Sequence, residues 1–371
     1  MRQRVYFDYN ASAPLRPEAA EYMSSLMGPA RNPSSIHSFG RSSKVILETA
    51  RADLAELAVG DASGFIFTSS GTEANNTALL GFEQVITCMV EHDAVLAARP
   101  DAHKINVGND GGINLPELDS ALQQAKNRGG EILVSVMLVN NETGRIQPIE
   151  KLLKICRSYD VAFHSDMVQA LGKIPIKLDE WSRSGLTMAS FSAHKIGGPP
   201  GVGALWIAPG RQVPQLLKGG GQEKGRRSGT ENIYGIAGFG AAAKSAFNWQ
   251  DYAKLWPKWR SDFVLKLQQA CSDIVLTTKD APCVHNTISL LLPAMPAQIA
   301  VMSLDMDGFA ISSGAACSSG KVQESHVIKS MGFGSLSSHV IRISFGWENT
   351  QDEISAFADA LIEIYKRHKE K

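Results

Sequence analysis

The chain has 371 residues, 44% of them hydrophobic, and its 37 Lys and Arg balance 37 Asp and Glu. That length and apolar content allow two domains, or one domain with a substantial appendage, around a proper core. The charge balance excludes a general field that would draw the protein to nucleic acid or an anionic membrane, so any partner is recognised locally. Met1-Arg-Gln-Arg-Val-Tyr-Phe-Asp8 has no apolar run behind its charges, and the most apolar later stretch, 288–302, is broken by Pro293 and Pro296. Neither a secretion signal nor a membrane span is expected. Five cysteines (Cys88, Cys156, Cys271, Cys283, Cys317) form no Cys-x-x-Cys pair, and the nine histidines do not cluster at ligand spacing. No disulfide framework and no metal are expected, and a reducing cytoplasm fits.

From about residue 60 to 210, β-rich runs at 65–68, 84–90, 132–139, 162–164, 188–192 and 203–208 alternate with amphipathic helical patterns such as 115–128 and 149–158. This rhythm predicts an α/β fold with a largely parallel sheet covered on both faces, whose ligands sit beyond the carboxyl ends of the strands. After about 250 the pattern changes: a Trp- and Lys-rich helical stretch is followed by strand signals at 284–292, 309–311 and 340–345. That pattern predicts a smaller α+β domain. Its last helix opens on the capping box Thr350-Gln-Asp-Glu353 and carries one apolar stripe of Ile354, Phe357, Ala358, Leu361, Ile362 and Tyr365.

The chemical groups fall at strand ends. Phe65-Ile-Phe-Thr-Ser-Ser-Gly-Thr-Glu73 is a strand that turns into a helix start, where Gly71 and Thr72 are candidates to bind a phosphate. Taken alone, Ser70 or Thr72 is equally an ordinary helix cap. His92 follows a strand and precedes a helix, where it can stack on a planar cofactor or move a proton near neutral pH as a catalytic group, although an ordinary helix-start histidine is commoner. Asn140-Asn-Glu-Thr-Gly144 is by itself simply a turn. Asp166 ends an apolar strand with Gln169 three residues on; a carboxylate there needs a partner, which a pyridinium N–H or a helix start would supply. Ser190-Phe-Ser-Ala-His-Lys195 sets a lysine at another strand end before a glycine-rich turn, suited to a Schiff base with pyridoxal phosphate, although a solvated surface charge occupies such a place more often. Cys317 lies in Ser312-Ser-Gly-Ala-Ala-Cys-Ser-Ser-Gly320 and is the thiol placed like a nucleophile, whereas the other four read as core. Arg342, inside an alternating strand, needs an anion: a substrate carboxylate or a protein salt bridge.

Singly these signals are weak, but their order resembles the cysteine desulfurases, pyridoxal-phosphate enzymes of aminotransferase class V, over nearly the full length. The matching motifs are Asp8-Tyr-Asn-Ala-Ser-Ala-Pro14, Asn32-Pro-Ser-Ser-Ile-His37, Gly71-Thr-Glu73, Glu91-His92, Asn140-Asn-Glu142, His164-x-Asp-x-x-Gln169, Ser190-Phe-Ser-x-His-Lys195, Gly219-Gly-Gly-Gln-Glu223 and Arg227-Ser-Gly-Thr230. Ser312-Ser-Gly-x-Ala-Cys317 is similar to the loop of the subgroup that serves iron–sulfur assembly. Lys218 where many relatives have histidine, Asp93 where lysine is common, and Ala315 where serine is frequent depart from the pattern without removing a reactive group.

The resemblance implies the type I fold of pyridoxal-phosphate aminotransferases, with a large cofactor-binding domain at 15–250 and a small domain at 1–14 and 251–371. It implies that Lys195 forms the Schiff base, Asp166 pairs with the pyridinium nitrogen, Gln169 meets the ring hydroxyl and His92 stacks on the ring. Gly71, Thr72, Ser192 and His194 would hold the phosphate, with Thr230 reaching across from the second subunit of a homodimer. Asn32, Asn141 and Arg342 would bind the substrate, Asn141 lying against cofactor as well. Cys317 would take sulfur from L-cysteine as a persulfide, release alanine and pass the sulfur to an acceptor protein such as an iron–sulfur scaffold. Two other readings are a selenocysteine lyase or another class V aminotransferase, and a catalytically silent adaptor of sulfur-transfer proteins.

Overall fold

The structure is a computed structural model that describes residues 4–314 and 324–370. Its strands, in chain order, are β1 (Val5–Tyr6), β2 (Phe65–Thr68), β3 (Gln84–Cys88), β4 (His103–Ile105), β5 (Ile132–Ser135), β6 (Ala162–Asp166), β7 (Leu186–Ser192) and β8 (Gly203–Ile207). They continue with β9 (Val275–Leu276), β10 (Thr287–Leu291), β11 (Phe309–Ala310), β12 (Ser312–Ser313) and β13 (Val340–Ser344).

Seven of these form one sheet in the order β2-β8-β7-β6-β5-β3-β4, in which β8 alone runs against its neighbours. The near-continuous apolar runs of β2, β5 and β8 are buried along their whole length, as strands covered on both faces must be. The helices Leu115–Arg128 and Ile149–Ser158 occupy the predicted ranges and bury their Leu, Ala and Ile faces. On the other side Ser38–Ala58 crosses Ile233–Ser245 so closely that a Cβ on Gly240 would lie 2.6 Å from Ala50 Cα. Several predicted strands end sooner than the apolar runs do: 84–90 stops at Cys88 and 132–139 at Ser135, and the remaining residues turn toward the carboxyl edge of the sheet.

A second sheet, antiparallel in the order β12-β13-β10-β9, packs beneath helices Trp256–Ala270, Ala297–Met306 and Gln351–Lys369. Its core contains Phe7, Trp256, Phe263, Ile288, Phe345, Phe357 and Tyr365. The run 309–311 is the one strand signal placed differently from expectation: β11 leaves this sheet and pairs in parallel with β1, Val5 opposite Phe309. Two residues of β1 carry too short a pattern to reveal it. The capping box forms as read, with Glu353 N donating to Thr350 Oγ1 and Thr350 N to Glu353 Oε2 at 2.9 Å. In the stripe below it Ile364 is buried and Ile362 only partly so, while the other five residues of the stripe are buried as read. Among the described residues no helix is long and apolar enough to cross a membrane.

Beyond β1 the chain start crosses between the two cores. Asp8 bridges Ser344, and Asn10 N donates to Ser344 Oγ at 2.9 Å. Gly203, at the start of β8, lets that strand approach the turn after β2, because a Cβ there would lie 2.4 Å from the Ser70 carbonyl carbon. Gly203→Ala is therefore expected to cost roughly 1–3 kcal/mol by overpacking, measured as a lower denaturation midpoint, and to shift the helix start that Ser70 caps.

Candidate active site

The carboxyl ends of β6 and β7, the turns after β3 and β5, and the helix start after β2 converge on a cavity of about 720 Å³, within the size range of small-molecule sites. Gly71, Thr72, His92, Asn141, Asp166, Gln169, Ser192, His194, Lys195 and Arg342 all line it.

At one end Ser70 caps the helix Gly71–Ala78, its Oγ accepting from Glu73 N at 3.1 Å. Glu73 in turn accepts from Ser69 N and pairs with Arg227 at 2.9 Å, so the entry turn is held from two sides. The first-turn amides of a helix have no acceptor within it and present positive potential, which suits a phosphate. Beside them His194 meets Ser12 Oγ at 3.3 Å, and burial followed by the Lys195 charge lowers its pKa to about 4. At neutral pH it is an uncharged hydrogen-bonding ring.

Lys195 follows β7 in the short turn Ala193–Lys195, and its Nζ donates to the carbonyls of Asn10 and Ala11 at 2.8 Å each. Burial first and Arg342 second lower its pKa to about 8, against the opposite pull of Asp8 and Asp166. A lysine with that pKa keeps a sizeable neutral fraction at physiological pH and is a competent nucleophile. Asp166, 7% exposed at the end of β6, accepts from Asn75 Nδ2 at 2.6 Å and from Val168 N at 2.9 Å. The second bond makes an Asx turn; turns rather than a helix follow, so the helix-cap reading of Asp166 does not hold. Gln169 donates from Nε2 to Asn10 O at 2.9 Å. His92 does cap the four-residue helix Asp93–Leu96, its Nδ1 accepting from Ala94 N at 3.0 Å, and stands exposed on the cavity wall. Arg342 has a protein partner: it donates to Asp8 Oδ1 at 2.7 Å and to Asn141 O at 3.2 Å, while its buried Nε has no partner among the described residues.

Two candidates stand apart. Asn32 is exposed, away from the cavity lining, and its Oδ1 accepts from Ser34 N at 3.0 Å in a local turn. Thr230 is also exposed and outside the cavity of its own chain. Cys317 lies outside the described residues, but Gly314 and Glu324, the described residues to either side of its segment, both line the cavity. The other four thiols are buried, and burial raises the pKa of Cys88 and Cys156 to about 12, which suppresses thiolate formation.

Sequence reading gave no role to Asn10, Asn75, Glu91, Glu142 or Lys173. Asn75 lies one helical turn beyond Gly71, a spacing that puts it on the functional face, whereas Lys173 follows Gln169 through turns that carry no helical period. Glu91 is fully buried beneath His92; it accepts from Met137 N at 2.6 Å, and burial pushes its pKa well up. Glu142 takes the Ser325 hydroxyl at 2.6 Å, and burial raises its pKa too. Nothing in the local pattern separates these two from surface glutamates.

A buried nucleophilic amine, a carboxylate across the same cavity and an anion-binding helix start fit pyridoxal phosphate, and Asn75 Oδ1 and Arg342 Nε remain as buried polar atoms without partners among the described residues. Fold and site together define a pyridoxal-phosphate enzyme of the type I fold. The family model for aminotransferase class V matches residues 5–357, and the chain belongs to that family. It is 35% identical to a cysteine desulfurase IscS of Dictyoglomus turgidum, over 99% of this chain and 96% of that protein, and 37% identical to a cysteine desulfurase of Cereibacter sphaeroides, over 98% and 95%. The solved structure of a NifS-like protein from Rickettsia africae superposes with a TM-score of 0.90 at 33% identity, covering 98% of this chain and all of that one. Within class V the chain is thus a pyridoxal-phosphate-dependent cysteine desulfurase.

An amine must be neutral to attack an aldehyde, so uptake of pyridoxal phosphate through Lys195 predicts, for the stripped protein, a rate that rises with pH through an apparent pKa of about 8. A stopped-flow absorbance profile still rising through about 10, the range of an ordinary lysine, would contradict this.

Proposed function

We propose that the protein converts L-cysteine to L-alanine, carries the released sulfur on Cys317 as a persulfide and delivers it to an acceptor protein such as an iron–sulfur scaffold. The observation that carries this reading is the placement of Lys195 between Asp166 and Arg342 in one cavity bordered by both sides of the cysteine segment. When bound, pyridoxal phosphate supplies an electron sink conjugated to the substrate Cα.

Lys195 would anchor the cofactor, and its amine of lowered pKa would serve as a base within the cavity. Asp166, fixed by Asn75 and Val168 N, would keep the ring nitrogen protonated. His92 would stack on the ring. Gln169 would meet the ring hydroxyl, and Gly71, Thr72, Ser192 and His194 would hold the phosphate. Arg342 and Asn141 receive the substrate carboxylate, with Arg342 sharing its fork between that group and Asp8. The Cys317 thiolate then attacks the substrate sulfur: an S–S bond forms, the Cβ–S bond breaks, and its electron pair stays with the three-carbon fragment, which leaves as alanine after protonation. A small-residue segment suits a thiol that must reach both cofactor and acceptor.

Thr230, exposed in its own chain, is assigned to the phosphate of a neighbouring subunit as the family resemblance implies. The exposed apolar Ile36, Phe39 and Val45 supply surface for a homodimer. Asn32, on the same exposed segment, is read as approaching substrate only in that assembly. The separate cores favour domains at 15–250 and at 1–14 with 251–371, although Val327, Ile328, Met331 and Val340 pack into the first core. A thiolate-based reaction with all four described cysteines reduced fits the cytoplasm.

Incubation of the holoenzyme with L-cysteine, followed by peptide mass mapping, should place one added sulfur on Cys317 with alanine released. Cys317→Ala should abolish both; undiminished alanine production by that variant with thiol present would sink the persulfide route. Arg342→Met should lower kcat/KM roughly ten- to a hundredfold, mostly through KM, as expected for losing about 1.5–3 kcal/mol of hydrogen bonding to a charged group.

A further inference from the structure

Lys173 is a buried ionisable group that the reaction leaves unused. It lies beyond β6, four residues after Gln169, is 8% exposed, and forms no salt bridge among the described residues. Its Nζ donates to Asn10 Oδ1 at 2.8 Å and to Gln169 Oε1. Those two side chains surround the anchoring amine. Asn10 O accepts from both Lys195 Nζ and Gln169 Nε2, while Asn10 Nδ2 donates to Asn141 O at 3.1 Å and to Thr287 Oγ1 at 2.9 Å.

We propose that Lys173 is a positioning residue for the lysine–cofactor linkage: by engaging the side-chain carbonyls of Asn10 and Gln169, it fixes the orientation of both amides and so the hydrogen bonds around Lys195. The inference rests on Lys195 being the anchoring lysine.

A carboxamide has a donor end and an acceptor end of almost the same shape, so a flip costs little unless a neighbour discriminates between them. An ammonium discriminates completely, since it has donors and no acceptor. With Lys173 in place, only the carbonyl ends of Asn10 and Gln169 can face it, and their NH2 groups must point outward, to Asn141 and Thr287 in one case and to Asn10 O beside the cavity in the other. Burial, followed by the charges of Lys195 and Arg342, draws the Lys173 pKa well below its ordinary value. A neutral amine would still carry two N–H donors for the two carbonyls but would also gain a lone pair, so the discrimination is complete only in the ammonium form, which the two carbonyl acceptors favour. A lysine stem alone would be replaceable by methionine at such a site, since both fill similar space; the two donated bonds are what methionine lacks. Asp8 and Asp166 are the carboxylates of the same cluster, and neither contacts Lys173.

The test has two stages. Borohydride reduction of wild-type holoenzyme and peptide mapping must first find the cofactor on Lys195; a different lysine would overturn the anchoring assignment and leave Lys173 without this role. The absorbance of bound cofactor is then titrated with pH in wild type, Lys173→Met and Lys173→Arg. Lys173→Met should displace the apparent pKa of the visible chromophore by roughly 0.5–1 unit, the size of one net hydrogen bond, and weaken cofactor retention several-fold. Lys173→Arg, which restores donors, should recover at least half of the displacement. A Lys173→Met titration superimposable on wild type, with only a lower Tm, would show a merely structural residue and overturn the proposal. Should that variant not fold, Lys173→Leu, which also removes both donors, carries the same comparison with the same two outcomes.

Discussion

Lys195 holds its ammonium against two backbone carbonyls, Asn10 and Ala11, that belong to the chain start rather than to the sheet carrying the lysine. The chain start can reach them only because β1 is pinned to β11 and Asp8 to β13, so the second core determines where the acceptors of the first core's lysine lie. Two buried carbonyls solvate the amine poorly compared with water, and Arg342 stands close by; both effects favour the neutral form. The reactivity of Lys195 is thus a property of how the two cores are joined.

The same junction governs the substrate end. Arg342 comes from β13 of the second sheet, yet its fork meets Asp8 of the chain start and the Asn141 carbonyl from the turn after β5. One guanidinium therefore ties three segments together at the cavity wall. Its strand neighbours Ile341 and Ile343 belong to the second core, which fixes the direction in which the arginine points. A cation so placed is costly to bury without anions, and Asp8 compensates it.

Much of this was readable in one dimension. The apolar runs and helical periods revealed the α/β sheet, since buried parallel strands and amphipathic helices carry unmistakable periods. Ser70, Asp166, Lys195 and Arg342 were visible because each places a polar group at the end, or in the middle, of an apolar run, where chemistry or a specific partner is needed. Glu91, Glu142 and Lys173 were not, because a charged residue in a turn or on a helix looks solvated until the chain is folded over it. The two-residue β1 escaped for a different reason: its partner lies some 300 residues away in sequence, and two residues have no period.

Residue type and spacing along the chain determined which groups exist for the chemistry: an amine after β7, a carboxylate after β6, a capped helix start after β2, a thiol between small residues. Folding decided their company. Only the tertiary structure brought the carbonyls of Asn10 and Ala11 to Lys195, gave Arg342 a protein carboxylate, turned Asn32 and Thr230 away from their own chain's cavity, and put Lys173 behind two amides. The physical reason is that hydrogen-bond geometry and the dielectric around a charge depend on which segments pack together in space, and these segments come from opposite ends of the chain.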